Sequence, residues 1–285
     1  MEAPWRPTAD ATDEPIEYAT LTYQVTGRVA RLTFNRPSIT IETPTDLAAA
    51  VERADLDPRV HVILVQGSGK GFCGGYDLSA FAEHQIPNHD PSEVWDPMVD
   101  YAMMSRFNRG FSSLLHANKP TVAKIHGFCI AGGTDIALFA DQILIAADAR
   151  IGYPPTRVWG VPAAGMWAHR LGDARAKRLL LTGETLTGTQ AAEWGLAIEA
   201  PPADELDART EALLDKIAAM PLNQLMMVKL ALNSALLAQG VANSTMVSTV
   251  FDGVSRHTRE GYAFAARAME VGWKQAVAER DAEPF

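Results

Sequence analysis

The chain is short of several things, and each shortage narrows what it can be. Cysteine occurs only twice in 285 residues, as Cys73 and Cys129. No Cys-x-x-Cys or Cys/His spacing suggests a structural zinc, so no metal is expected. So little cysteine fits a reducing compartment better than a disulfide-built secreted domain. Basic residues are outnumbered, 25 Lys and Arg against 34 Asp and Glu, for a formal net charge of −9. Phosphate backbones need a basic surface, so no nucleic-acid partner is expected, although a local cluster could still hold a nucleotide. There is no run of about 18 apolar residues, the length that spans a membrane, and no membrane association is expected. The first residues, "MEAPWRPTADATDEPIEY", have neither the apolar segment of a signal peptide nor the basic amphipathic helix of a transit peptide. Residues 1–15 read as a flexible leader, and a cytoplasmic location is expected. GxGxxG after the first strand, GxxxxGK(S/T), HExxH and GxSxG are missing too. Dinucleotide oxidoreductases, P-loop NTPases, zincins and α/β-hydrolases therefore drop out of the leading readings.

What is present is an ordinary globular balance, 47% apolar and 21% charged. The length suits one large α/β domain or a domain with an appendage. "ATLTYQVTG" and "VARLTFNRP" read as strands, the second stopped by Asn35-Arg36-Pro37. "TPTDLAAAVERADLD" reads as a helix with Thr43 or Thr45 as its cap and Leu47, Val51 and Ala54 on one face. "VHVILVQG", "KPTVAKIHG" and "QILIAAD" are apolar runs typical of strands buried on both faces. Residues 84–97 form a polar, Pro-containing loop carrying His84, His89, Asp90, Glu93 and Asp96. It reads as a solvated charged loop; the alternative is a cover that delivers a His or an acid to a pocket. Helices are expected near 98–116, 162–171 and 174–182, and a short one at "TGTQAAEWGL", with Thr187 as its cap. Strand–helix alternation over 16–202, followed by an almost wholly helical 203–285, predicts an α/β core with a helical C-terminal region.

Two segments carry the chemistry. "GSGKGFCGGYDLSAF" (67–81) and "KIHGFCIAGGTDIALFAD" (124–141) share one design: a buried strand, small residues, a double glycine, then a helix. N–H groups at a helix start have no internal partner, and glycine lets a ligand approach the main chain. Either turn alone could be a tight strand-to-helix connection. Together they can aim one N–H each at a single oxygen, which is how an oxyanion hole stabilises charge developing on a thioester carbonyl.

With these segments the chain resembles the enoyl-CoA hydratase/isomerase family, the crotonases, from about 17 to 200. "VARLTFNRP", "GKGFCGGYDL", "KPTVAKIHGFCIAGGTDIALFAD" and "LLLTGETLTGTQAAEWGLAIE" carry the likeness. The resemblance implies a spiral of ββα units in two roughly perpendicular sheets, with 203–285 as a helical trimerisation region. It implies an acyl-CoA thioester as partner, a homo-trimer or hexamer, and no cofactor beyond the CoA of the substrate. By the same matching, the oxyanion N–H groups are those of Tyr76 and Gly132, and Gly74, Gly75, Asp77, Leu78 and Gly133 bind substrate. Lys70, Arg31 and Arg36 are candidates for the CoA phosphates, with a solvated surface role as the alternative.

The carboxylates depart from the family. A Glu commonly follows the second glycine turn; here that position is Asp135, about 1.5 Å shorter in reach. The alternative for Asp135 is a charge at a helix start. A second family carboxylate falls at Pro155, and another member type carries an Asp at the position of Ala163. The stretch "IGYPPTRVWGVPAAGMW" thus has no acid where one is expected. Adding water to a 2-enoyl thioester needs a base and an acid, whereas moving a double bond needs one group that takes a proton and returns it. One evident carboxylate therefore favours isomerisation or another one-base enolate reaction. Tyr153 and Arg157 are possible auxiliaries, with packing and an ion pair as the alternatives. Cys73 and Cys129 read as buried packing groups. Trp159, Met166 and Trp167 read as core or acyl-pocket walls. Thioester hydrolysis or C–C cleavage on the same scaffold, and a CoA-thioester-binding protein without catalysis, are the competing readings.

Overall fold

The structure is a computed structural model that describes residues 12–84, 86 and 88–282. Residues 1–11 of the expected leader lie outside the described residues.

The chain starts as an antiparallel meander of β1 (Ile16–Glu17), β2 (Leu21–Thr26) and β3 (Val29–Phe34). Helix α1 (Thr43–Leu56) then buries Leu47, Val51 and Ala54, the face read from the sequence. Its cap differs from expectation. Glu42 holds the N-cap position without a side-chain cap bond, because Pro44 occupies the first turn and draws Thr43 into the helix. The Thr43 hydroxyl instead accepts from the Thr40 N–H at 3.0 Å, and Thr45 accepts from Arg106. The apolar run β4 (Val62–Gly67) lies parallel to β3. Then come α2 (Leu78–Phe81), α3 (Pro97–Phe111), α4 (Ser113–His116) and β5 (Thr121–Ile125).

After β5 the chain leaves the large sheet. Strand β6 (Phe128–Ile130) leads into α5 (Gly132–Ala137), and β7 (Gln142–Ile145) returns beside β5. Strand β8 (Arg150–Gly152) is followed by a 3-10 turn at Pro154–Arg157. Then follow α6 (Ala164–Leu171), α7 (Asp173–Thr182), β9 (Thr185–Thr187) and α8 (Gly188–Glu193). Thr187 caps α8 in a capping box, exchanging bonds with Gln190. The sheets are β1-β2-β3-β4-β5-β7 and β6-β8-β9, each mixing parallel and antiparallel pairs.

The C-terminal region holds α9 (Leu206–Ala218), α10 (Leu222–Ala238), α11 (Val241–Arg256), α12 (Arg259–Val271) and α13 (Trp273–Ala282). It shares the main core through Leu206, Leu214, Leu236 and Val241. Lys229 of α10 is buried and ties the region down, pairing with Asp141 at 2.9 Å and donating to the carbonyls of Leu114 and Lys119. A smaller apolar cluster joins α12 and α13, through Phe264, Ala268 and Ala276, to Ala82 and Val158. The last helices thus close over α2 and the segment after the 3-10 turn. Among the described residues no single helix is long and apolar enough to cross a membrane.

Candidate active site

The two glycine turns meet. Cys73 and Cys129 form a parallel bridge, and Ile130 N–H donates to the Cys73 carbonyl at 2.9 Å. On the far side, Ile39 N–H donates to the Gly75 carbonyl and Asp77 N–H to the Ile39 carbonyl. This parallel bridge uses the residues flanking Tyr76, so the Tyr76 N–H faces away from Ile39. Gly75 has φ +96°, and a Cβ there would lie 2.7 Å from Ala131 Cβ and 3.2 Å from Gly132 N. A Cβ on Gly133 would lie 2.5 Å from the Cys73 carbonyl oxygen. Backbone touches backbone here, and only glycine allows it. Ala131 takes φ 54°, a conformation an L-residue holds only under constraint. Its N–H donates to Gly152 at 3.0 Å, and its carbonyl accepts from the N–H and hydroxyl of Thr134. These bonds fix the direction of the Gly132 N–H at the start of α5.

Beside the junction lies a cavity of about 730 Å³, including its open mouth. Phe81, Met103, Met104 and Phe107 make an apolar wall, and Tyr76 stacks edge-on to Phe107 at 5.2 Å. Gly74, Leu78 and Trp159 also line it, whereas Met166 and Trp167 are buried in the core. Asp77 caps α2, accepting from Ser79 N–H at 3.1 Å. Cys73 and Cys129 are buried and unpaired as a disulfide; burial pushes the Cys73 thiol up to about 12. Lys70 and Arg36 are exposed, and both arms of the Arg31 guanidinium bond Glu211 at 2.7 Å.

Asp135 follows Gly132 by three residues on α5 and is 5% exposed. Its Oδ1 accepts from the Ala163 N–H at 2.9 Å. Burial pushes its carboxyl up to about 8; the Ala163 N–H pulls the other way, and the Asp252 charge adds to the rise. Asp135 is therefore mostly protonated at neutral pH. The unfolded chain ionises near the ordinary value of 3.8, while the folded chain holds this proton until about 8. Across that window the folded state binds more protons, so this group's contribution to stability falls as pH rises. Asn at 135 has no such dependence. Asp135→Asn should therefore gain stability relative to the wild type between pH 4 and pH 8, by on the order of 5 kcal/mol. Urea unfolding of both proteins at the two ends of that range measures it; an equal difference at both ends would contradict the burial.

The stretch after β8 has no acid, as the sequence says. Pro155 lines the cavity. Arg157 points elsewhere: its guanidinium pairs with Asp281 of α13 at 2.9 Å and donates to the Gly183 carbonyl at 3.2 Å. Tyr153 is buried against the cavity, and burial, then the charges of Asp135 and Asp252, push its phenol well above the ordinary value.

Two polar residues of the wall come from the C-terminal helices and have no place in the sequence reading. Asp252 and Arg256, both on α11, line the cavity. Arg256 Nη1 donates to Asp252 Oδ2 at 2.6 Å and Nη2 to Asp100 Oδ1 at 3.1 Å. Asp100 also accepts from Trp95 Nε1 at 2.6 Å and Asn88 Nδ2 at 2.9 Å, and bonds His257 Nε2 at 2.9 Å. His89 Nε2 bonds the Arg256 carbonyl at 2.9 Å. The loop 84–97 is thus only partly the solvated loop expected. His84 and Glu93 are exposed, but Asn88 and Trp95 tie it to Asp100 of α3, Trp95 also stacking on His257, and His89 bonds the last residue of α11. The only local trace is an Asp–Arg pair four residues apart on a helix with no other charged residue, a spacing that supports a helix anywhere and does not mark a pocket.

Mixed sheets, a glycine junction beside an apolar-walled cavity and a helical C-terminal region together define a crotonase-type enzyme. The model of the enoyl-CoA hydratase/isomerase family matches residues 24–275, and the chain belongs to that family, whose members are lyases and isomerases. A crystal structure of an enoyl-CoA hydratase from Mycobacterium smegmatis is 65% identical, with TM-score 0.89 over 93% of this chain and 94% of that one. An enoyl-CoA hydratase/isomerase from Xanthobacter autotrophicus is 27% identical, with TM-score 0.85 over 93% and 98%. A carnitinyl-CoA dehydratase of Proteus mirabilis is 30% identical over 67% of this chain and 72% of its own.

Proposed function

We propose that the protein binds an acyl-CoA thioester and passes through its enolate. The thioester oxygen sits between the N–H groups of Tyr76 and Gly132, and Asp135 exchanges a proton with Cα. The observation that carries this is the contact of the two turns: a Cβ on Gly75 would lie 3.2 Å from Gly132 N, with a buried carboxyl one turn further along α5. Donors aimed where charge develops supply the largest share of such catalysis. A carboxyl near pH 8 can give a proton to an enolate and, once ionised, is a strong enough base to take one. The apolar wall from Phe81 to Phe107 receives the acyl chain. CoA enters as part of the substrate, with no further cofactor.

The test is solvent exchange. Butanoyl-CoA in deuterated buffer should lose its Cα protons when the protein is added, as read by NMR. Tight binding with neither exchange nor turnover of any thioester would support a binding protein instead. Release of free CoA thiol would support a hydrolase.

We further propose a homo-trimer or hexamer. Met227, Leu232, Met246, Val250 and Phe251 on α10 and α11 are exposed apolar side chains, a surface that association would cover. Light scattering should give the mass of three or six chains; a monomer would contradict this.

A further inference from the structure

The pocket holds a carboxylate that the family likeness does not supply. At Pro155 and Ala163, where a second acid would stand, the chain has no ionisable side chain. Helix α11 reaches the same place from another direction. Asp252 lines the cavity and is 6% exposed. Its Oδ1 accepts from the Val161 N–H at 3.0 Å, and its Oδ2 from Arg256 at 2.6 Å. Val161 stands two residues before Ala163, whose N–H holds Asp135 at 2.9 Å. Residues 161–163 belong to neither helix nor strand. Two residues of chain span at most about 7 Å, so one short stretch of backbone holds both carboxyls. Gly160 confirms the convergence: a Cβ there would lie 3.5 Å from Asp252 Oδ1 and 2.9 Å from the Tyr153 hydroxyl.

We propose that Asp252 is the second acid/base of this pocket, supplying from α11 what Pro155 and Ala163 cannot supply when water is added to a 2-enoyl thioester, the reaction of the family. This rests on the enolate reading above. Asp252 takes a proton from a water as the water oxygen bonds Cβ. The π pair of the Cα–Cβ bond shifts toward the carbonyl, whose oxygen carries the charge between Tyr76 and Gly132. Asp135 then gives its proton to Cα, and the carbonyl re-forms. The product is a 3-hydroxyacyl thioester. Asp252 is left protonated and Asp135 ionised, and transfer of one proton through solvent restores both. The two carboxyls have unlike partners, a guanidinium and a backbone N–H for Asp252 and a single backbone N–H for Asp135. Arg256 acts through Asp252 as a positioning residue, itself held by Asp100.

The experiment compares two reactions in wild type and Asp252→Asn: hydration of crotonyl-CoA, followed by loss of the enoyl-thioester absorbance, and Cα exchange of butanoyl-CoA in deuterated buffer. Exchange needs Asp135 and the oxyanion site but no water addition. Hydration should fall by about 10²-fold or more, and exchange by no more than a few-fold. Unchanged hydration, or equal losses in both reactions, would overturn the proposal. Wild type that exchanges but does not hydrate overturns it and leaves the enolate reading standing; wild type that does neither overturns both. Should the Asn variant not fold, Asp252→Glu keeps a charge beside Arg256 while displacing the carboxylate. It should lose about tenfold or more in hydration with exchange largely kept, and equal losses or none would overturn the proposal.

Discussion

Asp135→Asn should cut turnover of every thioester the protein accepts by about 10²- to 10⁴-fold, with acyl-CoA binding little changed. Asn has the same shape and can still accept from the Ala163 N–H, so the bond that positions residue 135 survives. What disappears is the transferable proton. The carboxyl is buried and raised to about 8, so the wild type holds that proton at neutral pH and shares it across the range where a substrate Cα would need it. Steady-state kcat/KM, together with Kd from calorimetry, separates the two effects. Unchanged kcat/KM would remove Asp135 from the chemistry and leave it as a buried group at a helix start.

Gly75→Ala should be nearly as damaging for a different reason. At φ +96° the position strains any L-residue, and the new Cβ would sit 2.7 Å from Ala131 Cβ and press on Gly132 N. Relief requires the two turns to part, which moves the Tyr76 and Gly132 N–H groups off a common oxygen. Loss of one such donor costs about 10²–10³ in rate, and the overpacking itself about 1–3 kcal/mol in stability. Gly172→Ala is the control. Its φ is +74°, but nothing lies within 4 Å of the added Cβ, so stability should fall while kcat/KM stays put. If Gly75→Ala lost stability alone, as Gly172→Ala should, the junction of the turns would have no part in rate.

Much of the core was legible because its signals are local. The strands β4, β5 and β7 are short apolar runs and β3 is stopped by Asn35-Arg36-Pro37; together they form the middle and one edge of the large sheet. The convergence of the two turns was legible because the same glycine design occurs twice. The strands β6, β8 and β9, at three residues each, are too short to show a period. The cap of α1 differs from the expected Thr43 or Thr45 because Pro44 moves the helix start back to Glu42. The rest of the site depends on distant partners. Arg157 turns toward Asp281 and Gly183, which adjacent residues do not announce. Asp252 and Val161 are 91 positions apart, and nothing in "VFDGVSRH" says that its acid faces the pocket of the first 202 residues.

The most direct measurement is a crystal structure of the protein with an unreactive saturated acyl-CoA bound. The thioester oxygen should lie about 3 Å from both Tyr76 N and Gly132 N, with Cα within proton-transfer reach of Asp135. A thioester whose oxygen meets neither N–H, or whose Cα lies away from Asp135, would contradict the assignment of this junction as the reacting site.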